Sequence, residues 1–193
     1  MLLIPKKKQL ILFSAWFGNK YSDSSMFMYE YLLKQNKYQV VWYTRNKEIY
    51  SKLTRDGKPV VLSTTIKGMW FQIRAKMLVS SVQLSDFSHY FLCKCVYLDL
   101  DHGFAMKEVG YKIPGTRKKT IYYDKLLRLW IDYYGTAASD FSERIIHECY
   151  DIPYEKIIRC NKPRTDVLFC EELRIGHNEN IQRLIGKNKA IVY

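Results

Sequence analysis

A chain of 193 residues has room for one well-buried domain and scarcely for two. Apolar residues make up 48% of it and charged residues 26%, which excludes a disordered chain, and no stretch reaches the ~20 apolar residues of a bilayer-spanning helix. The formal charge of +12 favours an anionic partner (nucleic acid, anionic lipid or a phosphate-rich polymer), and composition does not choose among these.

The start, Met1-Leu-Leu-Ile-Pro-Lys-Lys-Lys, places its basic run after a few apolar residues, the reverse of a secretory signal. A cytoplasmic protein that touches the inner face of the membrane is expected. Gln9–Phe13 reads as a short buried strand, followed by a loop over Ser14–Asp23. The apolar spacing from Ser24 to Gln35 predicts a helix with a wide buried face, capped by Asp23 or Ser24. Tyr38–Tyr43 is a second strand, Lys47–Thr54 a helix, and Asp56-Gly-Lys-Pro turns the chain into strand Val60–Leu62.

Ile66–Arg74 is the third helix, Lys76–Ser81 the fourth strand, and Cys95–Leu98 the fifth, ending in the polar loop Asp99–Gly103. Beyond Pro114-Gly115 a helix is expected over Asp124–Tyr133, a strand near Tyr134–Ala138, and a helix over Asp140–Tyr150. Strand Lys156–Arg159 and helix Arg164–Ile175 follow, and Lys189–Tyr193 reads as the opening of another strand. Short strands alternating with helices predict an α/β domain, a Rossmann-like doubly wound parallel sheet with functional loops at the carboxyl ends of its strands.

Five Cys, an odd number, argue against a closed disulfide framework. Cys93 and Cys95 lack a second pair at zinc-like spacing, so no metal is expected, and Cys149, Cys160 and Cys170 read as small buried apolar residues. No glycine-rich phosphate loop occurs, which argues against an independent nucleotide site or bound cofactor. Basic residues are dispersed and match no nucleic-acid reader motif, so nucleic acid is not the expected partner.

His102 is the candidate general base, because it lies in the loop after a buried strand and titrates near neutrality when unperturbed. Gly103 beside it allows close backbone approach. Asp99 and Asp101 flank it with negative charge that is expected to orient its ring. Arg164 offers a bidentate grip on phosphate, and Lys107 a point charge. Ser22 and Asp23, where the first strand gives way to the first helix, are placed to bind an anion or to cap that helix. Capping suits Asp23 better, since a carboxylate repels phosphate.

Three ordered blocks carry a resemblance. Phe17-Gly-Asn-Lys-Tyr-Ser-Asp-Ser, then Tyr29-Glu-Tyr-Leu and Val40-Val-Trp, form the first. Asp101-His102-Gly103 with Lys107 forms the second. Ser139-Asp-Phe-Ser, Tyr154-Glu-Lys-Ile-Ile and Lys162-Pro163-Arg164-Thr-Asp166-Val-Leu form the third. Together they resemble the CDP-glycerol glycerophosphotransferase family of teichoic-acid and capsule polyol-phosphate transferases, whose corresponding motifs read F-G-x-x-Y-S-D-N, W-H-G-T-P-x-K and G-x-P-R-N/T-D-x-L.

The resemblance implies a GT-B architecture, with residues 1–188 as the amino-terminal, acceptor-side domain and 189–193 as the start of an absent donor domain. It implies transfer of glycerol phosphate or ribitol phosphate from a CDP-activated donor, held on the other domain, to a polyol-phosphate polymer or lipid-linked primer. His102 is then the base, substrate contacts fall to Lys107, Arg164, Ser22 and Gly103, and the chain is inactive without a donor domain, which a separate gene could supply. Two departures stand out: Asp101 replaces the family's Trp, and Phe104-Ala105 replaces T-P. The competing expectation from charge is a non-catalytic basic module on an anionic membrane or polyanion, with Lys6–Lys8 and Arg117–Lys119 as its clusters.

Overall fold

Along the first strand Leu10 and Leu12 alternate with Ile11 and Phe13, and all four are apolar. Such a strand must be covered on both faces, the mark of a parallel sheet. The computed structural model, which describes residues 4–103 and 108–169, has that construction. Seven strands, β1 (Lys7–Phe13), β2 (Gln39–Thr44), β3 (Val60–Leu62), β4 (Ala75–Ser80), β5 (Val96–Asp99), β6 (Asp132–Ala137) and β7 (Ile157–Arg159), pair in the order β3-β2-β1-β4-β5-β6-β7. Every pairing is parallel.

The helices α1 (Asp23–Gln35), α2 (Lys47–Arg55), α3 (Ile66–Arg74), α4 (Lys118–Arg128) and α5 (Asp140–Tyr150) lie between strands in the chain. The core divides as the strand period requires. Leu10, Leu12, Val41, Tyr43, Leu78 and Tyr97 pack on one face, and Ile11, Phe13, Val40, Trp42, Val79 and Leu98 on the other. The fold class read from the sequence is therefore borne out.

Strands and helices fall where the apolar pattern places them, with one clear exception. The helix expected over Asp124–Tyr133 is α4, six residues earlier. Leu126, Leu127, Leu129, Trp130 and Ile131 look like a helix face, but Leu129, Trp130 and Ile131 close in a tight turn. Their N–H groups donate to the carbonyls three residues back, at 3.2, 3.1 and 3.4 Å. That turn delivers the chain into β6 at Asp132.

Smaller corrections follow. The α1 N-cap position is Ser22, whose side chain makes no capping bond; Asp23 is the first helical residue, and its carboxylate accepts the N–H of Ser24 at 2.8 Å. Cys160 is exposed and Cys149 only part-buried, because one follows the edge strand β7 and the other lies on α5, which buries none of its residues fully. Over Arg164–Ile175 the described part is a 3-10 turn, Pro163–Leu168. Lys107, Cys170, the remainder of that segment and the strand at Lys189–Tyr193 lie outside the described residues.

The order of the strands decides where a site can form. From β1 the chain winds outward through β2 and β3, returns to β4 beside β1, and winds the other way. The carboxyl ends of β1 and β4 therefore open a crevice at the topological switch point, where α/β sheets of this kind hold ligands.

Candidate functional site

Three strand ends place the candidate histidine, those of β1, β4 and β5, and the ends of β6 and β7 complete the cavity beside it. After β1 the chain turns sharply through Trp16, Phe17 and Gly18, all in the left-handed region at φ 51°, 61° and 77°. Glycine adopts that conformation freely; Trp16 and Phe17 do so at roughly 1–2 kcal/mol each. The turn is held from outside. The Gly18 carbonyl accepts Arg45 N–H at 2.7 Å and the Thr44 hydroxyl at 2.8 Å, and Phe17 N–H donates to Asp86 at 2.6 Å.

At the end of β4, Ser80 and the next residue, Ser81, are fully buried. After β5, Asp99 leads through Leu100 to Asp101, another left-handed residue at φ 54°, and to His102. The carboxylate of Asp99 accepts Asp101 N–H at 2.9 Å and the Tyr133 hydroxyl at 2.6 Å. The carboxylate of Asp101 accepts His102 N–H at 2.7 Å. Burial, opposed by the Tyr133 and Asp101 bonds, pushes the Asp99 carboxyl up to about 6.

His102 Nδ1 lies 3.1 Å from the carbonyl oxygen of Ser81. A carbonyl only accepts, so Nδ1 carries the proton and the neutral ring keeps its lone pair on Nε2. Trp16 leans on the imidazole, with ring centroids 5.3 Å apart and planes at 57°. Asp101 contributes charge to the ring at 3.5 Å, and its other oxygen is 3.3 Å from Lys162 Nζ. The ring is therefore oriented first by the Ser81 carbonyl and Trp16, with the Asp101 carboxylate farther off and Asp99 making no contact with it. Asp99 faces into the protein, and Asp101 is shared with a cation.

Beside His102 lies a cavity of about 690 Å³. Asp99, Asp101, His102, Gly103, Lys162 and Arg164 line its polar side, and Ile145, Ile146 and Ile152 part of its apolar wall. Of the residues singled out from the sequence, His102, Gly103 and Arg164 meet here, and a Cβ on Gly103 would sit 3.9 Å from Arg164 Nη2. Arg164 also donates to Asp23 at 3.1 Å, which ties the site to the start of α1. Ser22 stands at the α1 N-cap and does not line the cavity; Lys107 is outside the described residues.

Trp16, Ser81, Asp86, Tyr133 and Lys162 contact the site or its loops, and the sequence reading did not single them out as site residues. Lys162 lies within the third block, and Ser80-Ser81 is a polar pair closing a buried strand, a signal of a strand end that faces a site. Nothing local marks Asp86 or Tyr133. No cluster of three or more metal-ligating side chains occurs among the described residues.

Comparison with known proteins points one way. A family model described as CDP-Glycerol:Poly(glycerophosphate) glycerophosphotransferase matches residues 1–193. The teichoic acid glycerol-phosphate transferase of Staphylococcus aureus (strain NCTC 8325 / PS 47) is 26% identical over 168 residues, which is 83% of this chain and 42% of that protein. The teichoic acid poly(glycerol phosphate) polymerase of Bacillus subtilis (strain 168) is 21% identical over 97% of this chain and 24% of its own length. The chain thus spans less than half the length of these relatives. The structure of the wall teichoic acid polymerase TagF superposes with a TM-score of 0.67 at 22% identity, over 85% of this chain and 41% of that one, a likeness of fold.

Proposed function

The chain belongs to the CDP-glycerol:poly(glycerophosphate) glycerophosphotransferase family, and from that premise we propose that residues 1–188 are the acceptor-side domain of a polyol-phosphate transferase. The CDP-activated glycerol or ribitol phosphate would be held by a second, donor-side domain that begins near residue 189. The acceptor is a teichoic-acid-like or capsular polyol-phosphate polymer, or its lipid-linked primer. The curated relatives, named for glycerol-phosphate transfer and polymerisation, support this choice.

In the reaction a terminal polymer hydroxyl forms a bond to the phosphorus of the glycerol-phosphoryl group. The bond from that phosphorus to the CMP oxygen breaks, and the hydroxyl proton goes to His102 Nε2. Phosphoryl transfer depends on positioning and charge neutralisation, for which Lys162 and Arg164 stand beside the histidine. Gly103 leaves room at the cavity wall, and Ser22 and Lys107 remain proposed acceptor contacts.

The observation that carries this reading is the bond from His102 Nδ1 to the Ser81 carbonyl, which leaves the Nε2 lone pair free on a residue lining a cavity that also holds Lys162 and Arg164. Transfer is measured with CDP-glycerol and a glycerol-phosphate primer, using the chain together with a donor-side domain. His102→Gln is expected to lower kcat by about 10²–10⁴-fold. A variant as fast as the wild type would remove His102 from the chemistry.

We further propose that the protein docks peripherally on anionic membrane. The α4 surface supports this, since Lys118, Lys119 and Tyr122 are exposed along its first turns and Leu129 and Trp130 just past its end. Aromatic and basic groups together suit a lipid interface. No helix among the described residues is long and apolar enough to cross a membrane. The same surface would serve a non-catalytic basic module, a reading that loss of transfer in His102→Gln argues against.

A further inference from the structure

The fully buried carboxylate of Asp86 belongs to none of the roles above. It sits in the 3-10 turn Gln83–Asp86 that follows β4. One oxygen accepts Phe17 N–H at 2.6 Å. The other accepts Ser81 N–H at 3.0 Å, Val82 N–H at 3.1 Å and the Ser80 hydroxyl at 3.0 Å. All four donors are neutral. Desolvation raises the carboxyl's proton affinity in spite of them. A buried carboxylate without a bonded cation is expensive to keep. Three of the bonds anchor the carboxylate within the end of β4 and its turn, and the fourth, from Phe17, ties the loop after β1 to it.

Those two loops supply both contacts that fix the His102 ring. Trp16, which leans on the imidazole, precedes Phe17, and Ser81, whose carbonyl receives Nδ1–H, is itself held by its N–H. The bond to Phe17 N–H also holds the left-handed turn of Trp16 and Phe17 in its strained conformation. We infer that Asp86 is a positioning residue, which sets the tautomer and placement of the His102 imidazole by clamping the two loops against which the ring rests. The inference rests on the reading of His102 as the base, and it gives that base its free Nε2. Asparagine does not replace it: its amide offers one acceptor oxygen, and its NH₂ faces donors.

The test reads the tautomer, not the reaction. Histidine labelled with ¹⁵N is introduced into the whole chain, and long-range ¹H–¹⁵N spectra are taken above the imidazole titration, with His102 assigned through His102→Gln. Wild-type His102 is expected mainly as the Nδ1–H form. In Asp86→Asn the ratio of Nδ1–H to Nε2–H is expected to fall about tenfold, the effect of weakening one hydrogen bond. His147 is the internal control. Its Nδ1 lies 2.9 Å from the Ile152 carbonyl, on the β6–β7 side of the sheet, and should stay in the Nδ1–H form in both proteins.

A His102 that moves while His147 stays supports the clamp. A His102 unchanged in Asp86→Asn overturns it, as does a change shared equally by both histidines, which would signal general loosening. If Asp86→Asn does not fold, Asp86→Glu replaces it; the longer carboxylate is expected to give an intermediate ratio, and an unchanged one overturns the clamp. Independently of any variant, a wild-type His102 that is mainly Nε2–H overturns the proposal. None of these outcomes depends on transfer, so the failure of His102 as base, read from His102→Gln kinetics, remains a separate result.

Discussion

At the scale of single residues, the proton economy of the site depends on atoms that share no local sequence. Nδ1 of His102 is satisfied by a carbonyl 21 residues earlier in the chain. Lys162 bonds the Leu100 carbonyl at 2.7 Å and is only 14% exposed, so its charge is directed at the loop and not spread into solvent. If that charge binds the acceptor, Lys162→Ala should weaken the affinity for short poly(glycerol phosphate) about tenfold, measured by titration calorimetry. Unchanged affinity would assign Lys162 to holding Asp101 alone.

Asp99 carries a pH dependence whose sign is fixed by its burial. Its carboxyl titrates near 3.8 when unperturbed and near 6 in the fold, so between those values the folded chain holds the extra proton. Stability therefore falls as pH rises from about 4 to about 6, by about 3 kcal/mol at most. Asp99→Asn should flatten that part of the curve of melting temperature against pH, since an amide keeps an acceptor for Asp101 N–H. A slope equal to the wild type's would mean that the loss arises elsewhere.

At the scale of elements, α3 and α4 show opposite ways of being held. α3 packs so closely on the end of β3 that a Cβ on Gly68 would come within 2.0 Å of the Leu62 carbonyl oxygen. Its start is fixed by Thr65, whose hydroxyl accepts Gly68 N–H at 3.1 Å. Gly68→Ala is expected to destabilise the protein by about 1–3 kcal/mol in urea unfolding, although alanine is the better helix former. A stabilised variant would show that α3 can lift off the sheet. α4, in contrast, buries none of its residues fully. Its apolar residues therefore misled the sequence reading: a run such as Leu126–Ile131 marks a helix face only when a partner covers it. Where helices do bury residues, as along α1, α2 and α3, spacing and burial agree and the sequence places them to within a residue or so.

At the scale of the whole molecule, net charge and exposed aromatic surface bear on where the chain works. The +12 charge is long-ranged but weakened by salt, whereas Leu129 and Trp130 contribute an apolar term that salt does not screen. Sedimentation with anionic vesicles should therefore show binding at low salt that falls at high salt. Leu129→Ala with Trp130→Ala should lower the residual high-salt binding. Equal binding by that double variant would exclude the α4 end as the contact.

The sequence by itself determined the layers of the fold, the loops at the carboxyl ends of its strands and the place of His102 on one of them. Each of these is a local property: apolar strands of about five residues, turn residues between them, and a histidine just after a buried strand. Tertiary structure alone decided which atoms complete the site. The order β3-β2-β1-β4-β5-β6-β7 brings the ends of β1, β4 and β5 side by side through long crossovers, and only then do Trp16, Ser81, Asp86 and His102 meet. Hydrogen bonds between residues tens of positions apart leave no periodic trace in a sequence, so the clamp and the tautomer it holds are visible only in the folded chain.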